Sequence, residues 1–539
     1  MALLERLLPI AIASDDPLPP DVRLWHGVPR RDWVVLAIMP TLLLAGMTST
    51  FTDLARPFVV TELASDRYRY QWVIGSTLFG SVTGMSLIAW LRSRFGLKRC
   101  YVAGLVLFTL GSLACGAAPN MEALGLARFL QGWGNGMVVT TVLAVFWREF
   151  PDHRDGAIAA YVLGLYFGRI VAPSISGYLI NLPSWRTIFY FNVPIGAACT
   201  VLTFHLLQPD EPRNEARDRS NFDFEGLVLL LGWVLCLMVG LFRFQKWGWS
   251  TANEFWLVAG LGLALFAWFL AHEFSAPHPL LDLRLFGRPR FAQSVAIKAL
   301  ADLNFFTVVS LLVRYMAVTR DYERVTTGLV LLPAVVTMST SLALTAWRGT
   351  RADRKPRLVA GLIGMTLGTW LLSGVDLYTD KLWTCAVTAA WAAAAGLVAS
   401  PLICISQEDM TPEEVASSAS IKNLMLVLPA FIGNNLVGIF VERRSDAHFD
   451  AMRQSLMPNR PPLDDVRRGL IDYFTHQGLG PSDADRQAGS LISRYVHDNA
   501  AVFAFQSGFQ ILALVLVAGV LLGLSLRPLP PHAPGPRRG

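Results

Sequence analysis

Charged side chains are scarce in this chain. They make up 16% of 539 residues, while 53% are hydrophobic and mean hydropathy is +0.43. Soluble domains carry about 25% charged residues, so an ordinary soluble protein is excluded. Cysteine is thin as well. The six cysteines (Cys100, Cys115, Cys199, Cys236, Cys385, Cys404) are scattered through apolar runs. They match neither a disulfide framework nor a metal spacing, so their expected role is packing. No glycine-rich phosphate loop occurs, which argues against an ATP-driven pump. The nine histidines lie mostly in loops or at helix ends, and no catalytic constellation competes. An enzyme is not expected. The net charge of +6 does not suggest nucleic acid, because the basic residues fall in membrane-flanking loops. The apolar LLPIAI near the start is too short for a signal segment, and no cleavage site follows it convincingly.

What is abundant is apolar length. Runs long enough to span a bilayer begin near Trp33, Tyr70, Cys100, Leu124, Gly156, Ile188, Gly226, Phe255, Ala292, Thr327, Leu358, Trp383, Ser417 and Ala500. A helix needs about 20 residues to cross the hydrocarbon, and each of these fourteen runs comes close. Lys and Arg concentrate after the second, eighth and tenth runs: Arg92, Arg94, Lys98 and Arg99; Arg284, Arg288 and Arg290; Arg348, Arg351, Arg354, Lys355 and Arg357. The alternate loops are poorer, with Arg56, Arg67 and Arg69 as exceptions. By the positive-inside rule both termini are expected in the cytoplasm.

The fold class expected is an all-α polytopic membrane protein with fourteen transmembrane helices, six, then two, then six. A cytoplasmic extension (1–32) precedes a first six-helix bundle (33–208). A charged linker (209–224) leads to two extra helices (225–275). The second bundle (276–527) carries a large polar loop on the outer side (442–499), and a tail (528–539) follows. That loop contains helix-like stretches, Ser445–Ser455 and Asp483–Tyr495, and a Pro-rich break at Pro458–Pro462. Two bundles related by an axis along the membrane normal would hold a substrate between them near the midplane.

The stretch from Gly164 to Gly196 is the most informative. Gly168-x-x-x-Ala172-Pro173 and Gly177 interrupt an apolar helix, which is tolerated in a bilayer where neighbours re-satisfy the backbone. This resembles the antiporter motif of the major facilitator superfamily. Trp185-Arg186-x-Ile188-Phe189 followed by Asn192-Val193-Pro194-x-Gly196 resembles the fifth-to-sixth helix junction of EmrB/QacA-type drug:proton antiporters. Arg128-x-x-Gln131-Gly132-x-Gly134-x-Gly136 is similar to superfamily motif B. Asp223-x-x-Gly226 and the His278–Phe286 segment look like EmrB-type sequences around the extra pair. Motif A is matched in part by Arg94, Gly96, Lys98 and Arg99, with Ser93 where the motif has Asp and Ala89 where it has Gly. In the superfamily that Asp bonds a helix end, so the inner gate here is expected to use other contacts.

An ionisable side chain near the bilayer centre costs about 2.5–3.5 kcal/mol on insertion scales, and function is its default reading. Arg128 stands where motif B implies proton coupling; a structural arginine bonded to a broken first helix is the alternative. Asp53 lies four residues before Pro57, with Thr48 at the position nine before, where the family usually has Asp. Asp53 reads either as a coupling carboxylate or as an outer-rim partner of Arg56. Lys298 and Asp302 are four apart and fall on one helix face, with Asn304 nearby. They read as a proton or substrate switch, in which protonating Asp302 frees Lys298, or as a structural pair joining the bundles. Arg169, four residues before Pro173, either helps Lys298 make the cavity electropositive or pairs with Asp53 or Asp302. Gln131 is a further candidate for the substrate site, and Trp133, Tyr166, Phe167 and Phe305 could line it.

The resemblance thus implies an exporter driven by inward proton movement, without any cofactor beyond the proton gradient. The intramembrane cations tilt the expected cargo toward amphipathic anions or weak acids. The outer loop implies docking to an EmrA-like periplasmic adaptor (a membrane fusion protein) and an outer-membrane channel. An importer or facilitator of an organic anion or siderophore remains a rival, as does a non-transporting scaffold or sensor.

Overall fold

Long apolar stretches have one way to hide their peptide groups from lipid, which is to bond them along a helix. The computed structural model describes residues 24–25, 28–150, 154–180, 184–210, 222–247, 253–319, 324–348, 354–407, 410, 412–455 and 461–526. The expected extension (apart from a few residues), most of the 209–224 linker, positions 458–460 of the Pro-rich break and the 528–539 tail lie outside them. A two-residue antiparallel pair, β1 (Leu24–Trp25) with β2 (Val28–Pro29), comes first. The helices follow: α1 (Arg30–Glu62), α2 (Arg67–Phe95), α3 (Leu97–Ala117), α4 (Met121–Glu149), α5 (Arg154–Ile180) and α6 (Thr187–Leu206). Then come α7 (Phe224–Trp247), α8 (Asn253–Ser275), a short 3-10 turn (Leu283–Gly287), α9 (Pro289–Thr319), α10 (Arg324–Arg348) and α11 (Arg354–Leu372). The last are α12 (Lys381–Gln407), α13 (Pro412–Ser455), α14 (Pro461–His476) and α15 (Pro481–Ser525).

Each of the fourteen expected spans coincides with one helix, α1 to α13 and α15. Twelve helices among the described residues are long and apolar enough to cross a membrane alone, and α1, taken as one bent helix, makes thirteen. The remaining one, α11, has 19 residues and opens with Arg354, Lys355 and Arg357. The bend of α1 is 47°, between Thr48 and Thr50. There the hydroxyls of Thr48 and Thr52 donate to carbonyls one turn back, Leu44 O at 2.8 Å and Thr48 O at 2.9 Å, a pattern that bends helices. By contrast α5 stays one hydrogen-bonded helix through Gly168, Pro173 and Gly177.

Helix pairing repeats. In the first bundle α1 packs on α5 and α6, α2 on α4, and α3 on α4 and α6. In the second α9 packs on α13 and α15, α10 on α12, and α11 on α12 and α15. This is the same pattern shifted by one bundle, as expected for parallel repeats about an axis along the membrane normal. Two seams join the repeats, α5 against α10 and α2 against α13. The extra pair lies at the second seam, where Phe242 of α7 meets Trp72 of α2 and Phe431 of α13.

Small residues set the close approaches. A Cβ on Gly168 would stand 2.3 Å from the Leu43 carbonyl, and one on Gly46 would stand 2.1 Å from that of Leu165. So α1 and α5 touch backbone to backbone, the packing that small residues permit in lipid. Gly96 has φ +87°, a left-handed value that favours glycine, at the tight α2–α3 turn. Asp223 starts α7 and also accepts from His272 at 2.8 Å and the Leu280 amide at 3.3 Å. Glu273 accepts from the Leu281 amide at 2.9 Å. This polar clasp fixes the 278–286 segment to the extra pair.

The segment 442–499, expected as an outer loop, is mostly helical among its described residues. Its first helix-like stretch is the end of α13 and its second the start of α15, while α14 lies between. At about 1.5 Å per residue the 44-residue α13 is roughly twice as long as the hydrocarbon is thick, so its end projects beyond it. Arg467 of α14 bonds Asp485 of α15 through two nitrogens at 3.0 Å each. Polar composition had suggested a loop, but polarity only says that these turns stand in water.

Candidate functional site

A cavity of about 220 Å3 lies between the bundles, somewhat below the range of about 300–1,000 Å3 for ligand sites. Its lining comes from both repeats: Thr140, Trp147, Tyr161 and Tyr166 from α4 and α5, and Lys298, Asp302, Phe305, Lys422 and Asn423 from α9 and α13. It extends toward the end of the molecule that carries Arg92 and Gln407, called here the basic end.

Asp302 is the hub. It is 3% exposed, in the middle of α9. Lys298 Nζ donates to its Oδ2 at 2.6 Å, one turn away on the same face. The Tyr166 hydroxyl, from α5 of the other bundle, donates to its Oδ1. The carboxylate is thus bonded within its own helix and across the bundle interface at once. Tyr166 also packs on Phe305 (centroids 4.5 Å apart), and Phe305 stacks on Trp391 at 5.1 Å. These rings stand beside the ion pair.

Other expected site residues lie elsewhere. Asn304 is fully buried but faces away from the cavity. It donates to Thr369 at 3.2 Å and to the Leu512 carbonyl at 3.3 Å, and accepts from Trp391. Two residues along a helix turn the side chain about 200°, so it cannot share the face of Asp302. Gln131 does not line the cavity either. Its amide donates to Ser112 at 2.7 Å and its oxygen accepts from Arg128. Trp133 packs against α2 and beside Ile88, Cys100 and Met137, within the first bundle.

Arg169 is 5% exposed and does not line the cavity with Lys298. It donates to Ser310 of α9 at 3.0 Å and lies 4.9 Å from the face of Phe306. The expected pairing of the two cations in one cavity is therefore corrected: the Tyr166–Phe305–Phe306 layer stands beside the ion pair, and the guanidinium is drawn to Phe306. Arg128 is 1% exposed, bonded to Gln131 and 5.7 Å from the Phe189 ring; among the described residues no bond ties it to α1. Asp53 is 4.0 Å from Arg56, both partly exposed, and is within electrostatic reach of Arg128 and Arg169. Arg56 is thus the near partner of this carboxylate, and the two buried arginines act on it at longer range.

At the basic end, where Ser93 stands in place of the motif Asp, another carboxylate, Asp210, meets the α2–α3 turn. Its carboxylate accepts from the Lys98 amide at 3.1 Å, capping α3, and from Arg148 at 2.9 Å. Arg94 and Arg99 are exposed there, with Arg94 5.7 Å from the Trp90 ring. Contacts between bundles at this end are Ser420 to the Met85 carbonyl (3.0 Å), Tyr161 to Asn423 Oδ1 (3.0 Å) and Asn423 Nδ2 to Thr140 (3.3 Å). Tyr161 and Thr140 were missed, since a lone hydroxyl in an apolar run carries no signal of its own. At the far side Arg186 pairs with Glu62 and donates to the Ala118 carbonyl, so the Trp-Arg motif ties α6 to the ends of α1 and α3.

A family model described as Major Facilitator Superfamily matches residues 38–229 and 224–434. A "Multidrug resistance protein B homolog" of Mycobacterium tuberculosis (strain CDC 1551 / Oshkosh) is 26% identical over 487 residues, 88% of this chain and 87% of its own. The "Multidrug export protein EmrB" of Escherichia coli (strain K12) is 23% identical over 495 residues, 91% of this chain and 93% of its own. A solved structure of a bacterial homologue of the human lysosomal transporter Spinster, inward-facing and unoccupied, aligns with a TM-score of 0.54 at 15% identity. It covers 92% of this chain and 96% of that one, a likeness of fold.

Proposed function

The chain belongs to the major facilitator superfamily, as a multi-span transporter similar to multidrug exporters, and from that premise we propose that it is a proton-coupled antiporter. It exports amphipathic small molecules across the bacterial inner membrane, with both termini and the basic end in the cytoplasm. The observation that carries this reading is the Tyr166–Asp302–Lys298 arrangement. An ionised Asp302 holds Lys298 by charge and the opposite bundle through Tyr166. A proton on Asp302 removes the charge, releases Lys298 and weakens the bond to α5. One protonation therefore changes both the charge of the cavity and the tie between the bundles, which is what exchange of a proton for a substrate requires. Asp53, beside Arg56 and within electrostatic reach of Arg128 and Arg169, is the second candidate carboxylate.

The projecting ends of α13 and α15 with α14 form the outer face, on which Val466, Tyr473, Leu491 and Tyr495 are exposed. Such exposed apolar groups support docking of a periplasmic adaptor that continues export through an outer-membrane channel. The experiment is transport into everted vesicles with an imposed pH gradient, acid inside. Antiport predicts substrate accumulation that collapses with the gradient. An importer predicts the opposite direction, and a scaffold no movement at all.

A further inference from the structure

Lys422 is a buried cavity lysine that the mechanism above leaves unused. It lies on α13, ten residues from the start of the helix at Pro412, hence about 15 Å along it. It is 6% exposed and lines the cavity, and no described protein atom accepts a hydrogen bond from its Nζ. Its neighbours are otherwise engaged. Asn423 is taken up by Tyr161 and Thr140, and Asp302, the one carboxylate lining the cavity among the described residues, is bonded by Lys298 and Tyr166. Three cations line the cavity among those residues, Arg92, Lys298 and Lys422. A buried amino group without an acceptor is costly, and in a membrane it marks a ligand or ion path.

Resting on the transporter reading, we propose that Lys422 docks the head of an amphiphilic monocarboxylate whose apolar part lies along the cavity wall. Leu143, Val162, Leu165, Leu402 and Leu426 give that wall its apolar character, with Phe305 at its end. The chemistry selects each feature of the cargo. An anion satisfies Lys422 through a charge-assisted bond without displacing a protein partner. A cation would have to displace Lys298 from Asp302. Of the two lysines at the cavity only Lys422 has no acceptor, which calls for one negative charge on the head, and a second on the cargo would face Asp302. Because Asn423 next to Lys422 bonds both α4 and α5, a head bound here sits beside a contact between the bundles. Binding and proton exchange then use different residues, Lys422 for the one and Asp302 with Lys298 for the other.

The test uses the full-length purified protein in detergent and three probes of one shape: 1-naphthoate, the neutral 1-naphthamide and 1-naphthylmethylammonium. Thermal stabilisation gives the affinity of each. The wild type is expected to bind naphthoate at least tenfold more tightly than the other two. Lys422→Gln should lose that preference while binding naphthamide as before, and Lys422→Arg should keep it. A wild type that prefers the ammonium or the amide overturns the proposal, as does a Lys422→Gln protein with unchanged naphthoate affinity. Should Lys422→Gln fold poorly, Lys422→Met and the wild-type ranking decide by the same criteria. Failure of proton-coupled transport with the naphthoate preference intact would sink the antiporter reading and leave this site standing.

Discussion

Tyr166 of α5 and Asp302 of α9 join the two six-helix bundles through a hydroxyl–carboxylate hydrogen bond at the centre of the molecule. Lys298 bonds the other oxygen of the same carboxylate at 2.6 Å. Among the described residues no other carboxylate lines the cavity, so its charge state has a direct mechanical consequence.

The Tyr166→Phe protein keeps the ring that packs on Phe305 and loses only the hydroxyl. Hydrogen bonds to charged groups are worth about 1.5–3 kcal/mol, so the balance between bundle arrangements should shift by roughly tenfold or more. Spin-label distances between α5 and α9 report it. Unchanged distance distributions would mean that the bond does not hold the bundles.

The same distances should depend on pH in the wild type. As pH falls and Asp302 takes a proton, the tie loosens and the α5–α9 population shifts. As pH rises, the ionised carboxylate restores it. The Asp302→Asn protein should show one distribution at every pH, and a pH response that survives in it would assign the titrating group elsewhere.

Asn304 should matter for stability and not for cargo. Asn304→Ala leaves the Trp391 indole N–H without its buried acceptor, a cost of about 1–3 kcal/mol. Thermal unfolding should come several degrees earlier, with substrate affinity unchanged. A selective loss of affinity at normal stability would put Asn304 back in the substrate site.

Gly168→Val should separate α1 from α5. Its Cβ would stand 2.3 Å from a backbone oxygen, which cannot be relieved by turning a side chain. Overpacking typically costs about 1–3 kcal/mol, and here the backbones themselves must move. Low yield of folded protein and a lower unfolding temperature are expected. A variant as stable as the wild type would show that the close approach is dispensable.

Much of the fold was legible because bilayer thickness leaves its mark on apolar length. All fourteen helices could be placed that way. The ion pair Lys298–Asp302 was legible too, since a spacing of four puts two side chains on one face. Tyr166 was legible as a cavity-lining aromatic, but its bond to the pair was not. Tyr166 lies 136 residues away from Asp302, and only the packing of α5 near α9 brings them together. Lys422 lies five residues into the apolar run that begins at Ser417, where a cation marks a span boundary as readily as a site. The helix begins at Pro412 and carries Lys422 into the cavity wall. Asn304 and Trp133 were expected at the substrate site, but each packs within its own bundle, which nearness in sequence or aromatic character does not reveal. Arg169 was recognised as a buried cation, but periodicity could not tell that Ser310 and the Phe306 ring would take it.

The central claim is that Asp302 carries the exchanged proton. The direct measurement is proton movement driven by substrate, read with a trapped pH dye in proteoliposomes loaded at acid pH. Adding substrate outside should make the wild-type lumen more alkaline as substrate enters and protons leave. The Asp302→Asn protein, still binding substrate, should give no substrate-dependent signal. Substrate-driven proton release of normal size from the Asp302→Asn protein would contradict the account.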